Sequence, residues 1–155
     1  MNAIHLYRLA NFFYRKRVPL LPGLLRFLMF FLYNSVIEPS CPIGRGSSFA
    51  HGGIGVVLHP ESRIGERVLI GQGVTLGGNF GSAPPTVEDD VWIGPGARLL
   101  GAITIGRNSI IGANAVVIRD VPANSVVGGV PAKVIKTLKP GALDVKQGSL
   151  RDDAA

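Results

Sequence analysis

A parallel β-helix preceded by a short helical hairpin is the fold that this sequence predicts, on three observations. An aliphatic residue returns at every sixth place through Val87, Ile93, Leu99, Ile105, Ile111 and Val117. The fifth place of each unit is small or β-branched, as Val91, Ala97, Ile103, Ser109, Ala115 and Val121. Glycine often follows the aliphatic residue, as Gly94, Gly106 and Gly112. A period of six is no helix stripe, because six steps of about 100° set successive aliphatics about 240° apart. It suits short strands. The fifth residue of one unit and the first of the next lie two apart, share a face in extended chain, and leave the glycine to permit the corner. Three units then close a triangular coil of about 18 residues, and stacked coils pair at roughly 4.8 Å around a continuous aliphatic column.

The elements follow in chain order. Ala3 to Lys16 predicts an amphipathic helix, with Leu6, Leu9, Ala10 and Phe13 at helical spacing. Pro19 and Pro22 break it, and a second helix is expected from Leu24 to about Tyr33, so residues 1–36 form a hairpin that caps the open end of the coils. Repeats begin near Ile43, slip by three residues at 53–57 between His51 and His59, and resume from Leu58. They break again over residues 77–86, GGNFGSAPPT, which predicts a projecting loop. The β-helical domain is expected over residues 37–137. Residues 138–155 show no periodicity and are expected to form a mobile tail.

Composition narrows the function. The chain has 155 residues, room for one domain with a modest extension. Its single cysteine, Cys41, excludes an internal disulfide and suits a reducing, cytoplasmic setting. A net charge of +6 favours anionic partners such as a phosphorylated cofactor or an anionic membrane. Nucleic acid is not expected, because the basic residues are spread along the chain without a reading motif. Residues 18–33 are strongly apolar, but Pro19, Pro22 and Arg26 leave too short a run for a spanning helix. No small-residue cleavage site follows it, so an unprocessed chain is expected. Aromatic and leucine side chains beside basic ones make peripheral membrane contact through residues 1–34 a second expectation for the hairpin, at the inner face of the cell membrane. No cluster of His, Cys and carboxylate stands at ligand spacing, so no metal site is expected.

Four stretches carry a resemblance to a known family: IGRGSSFAHGGIGVVLHP at 43–60, IGQGVTLGG at 70–78, the repeats of 87–121, and GGVPAKVIK at 128–136. Together they resemble the hexapeptide acyltransferases, in the branch holding serine O-acetyltransferase and the short O-acetyltransferases of surface polysaccharides, over about residues 36–137. The resemblance implies a left-handed β-helix, against the usual right-handed crossover, assembled as a homotrimer with acetyl-CoA between neighbouring subunits. It implies His51 as the general base, with AHGGI standing where serine O-acetyltransferases carry DHATG. It also implies that Gly77 and Gly78 line the pantetheine arm, that Ala113 makes a backbone contact further along, and that Ala132 and Lys133 receive the nucleotide.

The sequence departs from the serine enzymes at Val36, where their orienting acid falls, at Pro84, where their second histidine falls, and in lacking their large N-terminal helical domain. These departures lead to the expectation of a sugar hydroxyl as acceptor, in surface polysaccharide or glycolipid synthesis, with serine as the alternative. The chemistry is the same for either. Acetyl transfer from a thioester to an alcohol needs a base for the hydroxyl proton and donors for the oxyanion, and imidazole titrates in the right range. Glycine N–H groups at Gly52, Gly53, Gly77 and Gly78 are candidate donors. His59, beside a repeat leader, is a candidate to touch the acceptor or assist His51, whereas His5 belongs to the first helix. Cys41 has no activating neighbour and is read as a buried thiol rather than an acetyl carrier. A catalytically silent scaffold is the competing class.

Overall fold

A computed structural model describes residues 2–79, 81–145 and 149–150. Two helices, α1 (Ala3–Arg15) and α2 (Leu21–Tyr33), precede the strands β1 (Val36–Ile37), β2 (Ser48–Phe49), β3 (Val57–Leu58), β4 (Arg63–Ile64), β5 (Leu69–Ile70), β6 (Thr75–Gly77), β7 (Thr86–Val87), β8 (Trp92–Ile93), β9 (Arg98–Leu100), β10 (Thr104–Ile105), β11 (Ile110–Ile111), β12 (Val116–Val117), β13 (Ser125–Gly129), β14 (Ala132–Thr137), β15 (Leu143–Asp144) and β16 (Ser149–Leu150). They wind a left-handed parallel β-helix. Its first face is β1-β3-β6-β9-β12, and its second is β4-β7-β10, extended by bridges at Ile43 and Val121. The third face is β2-β5-β8-β11-β13, with β14 added antiparallel at its end.

The six-residue rhythm builds this prism as expected. Val87, Ile93, Leu99, Ile105, Ile111 and Val117 are all fully buried in one column, and the fifth-place residues pack between them. Regular coils repeat every 18 residues, pairing Val57 with Thr75, Trp92 with Ile110 and Arg98 with Val116. Two coils are longer. Val36 pairs with Val57, 21 residues on, because three extra residues sit in the turn between β2 and β3. Thr75 pairs with Arg98, 23 residues on, because five extra residues project between β6 and β7.

The glycine that follows each aliphatic residue has a different reason from the one expected. Gly44, Gly65, Gly71, Gly94 and Gly106 do not adopt the left-handed conformation. A Cβ at Gly94 would lie 2.6 Å from the Ala113 nitrogen, and one at Gly71 2.6 Å from the Pro95 nitrogen, so these glycines let one coil rest on the next. Left-handed residues fall elsewhere on the corners, as Gly55, Gly73, Gly96 and Asn114 on the edge between the third and first faces.

The hairpin closes the N-terminal end. Helix α1 starts on an Asn2 cap and buries Ala3, Ile4, Tyr7 and Ala10 toward the coils. The Tyr7 hydroxyl donates to the Cys41 carbonyl at 2.5 Å, and the Arg8 guanidinium donates to the carbonyls of Ile43 and Gly44 at 2.6 and 2.5 Å. Helix α2 begins at Leu21 rather than Leu24, since Pro22 falls in its first turn, where a missing N–H costs nothing. Ala3, Ile4, Tyr7, Met29 and Tyr33 continue the aliphatic column, so hairpin and prism share one core.

The tail differs from its expectation as far as Val145. Leu138, Ala142, Leu143 and Val145 are buried, and Leu138 and Ala142 pack on Ile110 and Val126. The remaining tail residues 146–148 and 151–155 lie outside the described residues.

Candidate active site

The three-residue insertion is the turn that carries His51. Residues Ala50–Gly53 form a kinked turn in which His51 (φ 47°, ψ 41°), Gly52 (φ 75°) and Gly53 (φ 85°) all take positive φ. Strict strand alternation from Phe49 would point His51 into the column; the left-handed backbone turns it outward instead, and its side chain is exposed. A Cβ at Gly53 would press on the Phe49 ring at 3.1 Å, so the turn closes only with glycine there. The hairpin holds this turn at three points. Asn2 Nδ2 donates to the Phe49 carbonyl at 2.7 Å, Ser35 Oγ donates to the Gly53 carbonyl at 2.5 Å, and the Gly55 N–H donates to the Tyr33 carbonyl at 2.9 Å. His51 has no hydrogen-bond partner of its own among the described residues, so its ring faces out free to meet a substrate.

His51 stands at the head of an edge that carries glycine at three successive corners, with the Asn114 side chain lying over the last of them, Gly96. Below it on the corners between the third and first faces lie Gly55, Gly73 and Gly96, where a Cβ added at Gly55 or Gly73 would meet only the next glycine, at 3.5 and 3.9 Å. The Gln72 Oε1 atom on this edge is buried without a hydrogen-bond partner among the described residues. Ala113 follows one level further, exposed after β11. Last come the Gly128–Gly129 corner and the turn into β14, with Ala132 half-buried and Lys133 exposed. Four coil spacings separate His51 from this end, about 19 Å. A glycine-cornered strip of that length, with an unpaired acceptor and the Asn114 amide along it and a lysine at its foot, fits an extended amide-bearing arm ending in phosphate.

His59, Gly77 and Gly78 lie elsewhere. They occupy the edge between the first and second faces, across a face about 13 Å wide, the span of Gly73 to Gly77 in extended chain. There the five extra residues form a loop closed by the Ser82 N–H donating to the Asn79 carbonyl at 2.9 Å and the Asn79 N–H donating to Ser82 Oγ at 3.0 Å. Gly78 has no room for a Cβ, which would sit 2.6 Å from the Ser82 carbonyl oxygen. His59 lines an open depression with Glu61, Gly78, Ser82 and Pro84. Its Nδ1 accepts the Glu61 N–H at 3.2 Å, so the neutral ring carries its proton on Nε2 and presents a donor. Ser82, unsuspected from sequence, ties this loop.

Cys41 is not a nucleophile in this geometry. Burial pushes its thiol up to about 12, and its Sγ donates to the Ser62 carbonyl at 3.3 Å. Arg98, outward on β9, donates to the Gly73 carbonyl and braces the glycine edge. Trp92 is half-buried on the third face, away from that edge.

Comparison with known proteins bears on this arrangement. Residues 84–119 match the bacterial transferase hexapeptide (six repeats) family. A serine acetyltransferase of Helicobacter pylori (strain J99) is 41% identical over 138 residues, covering 87% of this chain and 80% of the relative. One from Synechococcus elongatus is 42% identical over 137 residues, covering 86% of this chain and 56% of the relative. The chain thus spans little more than half the length of the cyanobacterial relative, and 63% of one from Bacillus subtilis. Among solved structures, a serine acetyltransferase from Brucella abortus in complex with coenzyme A superposes with a TM-score of 0.82 at 34% identity, covering 87% of this chain and 55% of that one. One from Neisseria gonorrhoeae in complex with serine gives 0.79 at 35% identity, covering 86% and 55%.

These relatives overturn the expected sugar acceptor and its place in polysaccharide or glycolipid synthesis. The residues behind that expectation have structural reasons. Val36 opens the first strand of the first face, and Pro84 is buried at the base of the loop. Their identities report how the end coil and the loop pack.

Proposed function

The chain belongs to the serine acetyltransferase family of bacterial hexapeptide transferases, and on that premise we propose that it moves an acetyl group from acetyl-CoA to the hydroxyl of serine. The observation that carries this reading is His51, held outward by the hairpin at the head of a glycine-cornered edge that ends at Lys133. His51 takes the hydroxyl proton as the serine oxygen bonds to the thioester carbon. As the carbon–sulfur bond breaks, the imidazolium returns that proton to the departing sulfur, leaving free coenzyme A and O-acetylserine. General-base help of this kind is worth about 10² to 10⁴ in rate, or roughly 3 to 5 kcal/mol of barrier.

The reading extends to assembly. His51, Ala113, Ala132 and Lys133 share one edge, while His59, Gly77 and Gly78 share another, so no single chain closes a site around both. A homotrimer that sets the first edge of one copy against the second edge of its neighbour supplies the missing wall. Val36, Val57 and Val116, in register with Thr75 and Arg98 on the outward side of the first face, and Ile118 just past it, give such a contact an apolar share. In it, the His59 Nε2–H donates to the carboxylate of the amino-acid acceptor. The buried, protonated Cys41 suits a cytoplasmic setting, and the apolar, basic outer surface of residues 1–34 supports contact with the inner face of the cell membrane.

Thiol release from acetyl-CoA with and without L-serine tests the reaction. Serine-dependent release with O-acetylserine as product is the expected result; release that ignores serine would overturn the proposed acceptor.

A further inference from the structure

The outward face of α2 has no role in the folded chain. The helix buries Leu25, Met29 and Tyr33, a stripe at spacing four. Leu20, Leu24, Phe27 and Phe31 make a second stripe, on the side roughly opposite at about 100° per residue. All four are exposed, Leu20 at 89% and Phe31 at 74%, and the rings of Phe27 and Phe31 stack with centroids 6.4 Å apart. Leu20 holds φ 65° while presenting its side chain to solvent, a conformation that leucine rarely adopts. Just before it, Arg15, Lys16 and Arg17 are exposed at the turn between the helices.

Charge selects what covers this face. Residues 1–37 hold five basic residues (Arg8, Arg15, Lys16, Arg17 and Arg26) and none of the ten acidic ones; Glu38, next in the chain, pairs with Arg26, which leaves Arg15, Lys16 and Arg17 exposed with no ion pair among the described residues. A second hairpin laid against the first would bring a second such cluster beside these three cations, whereas an anionic lipid surface neutralises them. With 13 residues, α2 is about 20 Å long, short of the roughly 30 Å hydrocarbon layer, and no helix of the described residues is long and apolar enough to cross a membrane. Resting on the reading that residues 1–34 touch a membrane, we infer that α2 lies in the plane of an anionic bilayer. Leu20, Leu24, Phe27 and Phe31 enter the acyl boundary, and Arg15, Lys16 and Arg17 meet the lipid phosphates.

Sedimentation of the full chain with vesicles tests this, using phosphatidylcholine alone and phosphatidylcholine mixed with phosphatidylglycerol. Binding should favour the anionic vesicles by roughly tenfold or more and weaken with salt. Leu24→Glu with Phe31→Glu should abolish it while trimer mass and serine acetylation stay at parent values. Arg15→Gln, Lys16→Gln and Arg17→Gln together should remove the anionic preference. No binding to either vesicle would overturn the membrane reading itself. Binding that ignores both sets of substitutions would overturn only the assigned surface. Loss of trimer mass in the glutamate variant would assign the stripe to contact between copies instead.

Discussion

His51 shows how little chemistry a site needs when the backbone does the placing. A left-handed non-glycine residue costs roughly 1 to 2 kcal/mol, and here three hydrogen bonds from Asn2, Ser35 and Gly55 hold the turn that imposes it. The imidazole then needs no side-chain partner to face outward. His51→Ala should lower kcat at least about a hundredfold with the trimer mass unchanged; a rate within a few-fold of the parent would remove the base from this position. His59 is fixed differently, by the Glu61 N–H on its Nδ1, and so acts as a donor. The sequence exposed both histidines, because each stands where the six-residue rhythm falters. It could not tell their roles apart, since the difference lies in one left-handed turn and one hydrogen bond.

At the scale of the coil, the glycines after each aliphatic residue set the stacking distance. Gly94→Ala would drive a Cβ into the backbone of Ala113, whereas Gly77→Ala would meet nothing closer than Leu100 Cδ2 at 3.8 Å. Gly94→Ala should therefore cost about 1 to 3 kcal/mol in thermal or urea unfolding, and Gly77→Ala less than about 0.5 kcal/mol. Equal costs would mean that the coils do not rest on one another as described. The prism, its column, the three-residue slip and the loop were legible because burial repeats with the sequence period. The reason for the glycines was not, because it depends on backbone 18 or more residues away. The order of the tail was not legible either. Leu138 and Ala142 follow no repeat, and they find their cover on Ile110 and Val126 only once the third face exists.

Across the whole molecule, the prism repeats and its two interruptions bring His51 and His59 to the surface, one on each side of a single face. The hairpin joins them to the chain's surroundings, sealing the first coil, bracing the His51 turn and showing an apolar, basic exterior. The proposed function requires both edges, and one chain does not bring them together. Coexpressing a His51→Ala chain with a Gly78→Val chain tests it directly. Each variant alone should be at least about a hundredfold slower in serine-dependent thiol release. In the proposed trimer the coexpressed pool should recover about a quarter of the parent rate, since random assembly sets an intact His51 edge against an intact Gly78 edge at that frequency. Mixed trimers that stay as slow as either variant would contradict a site shared between copies.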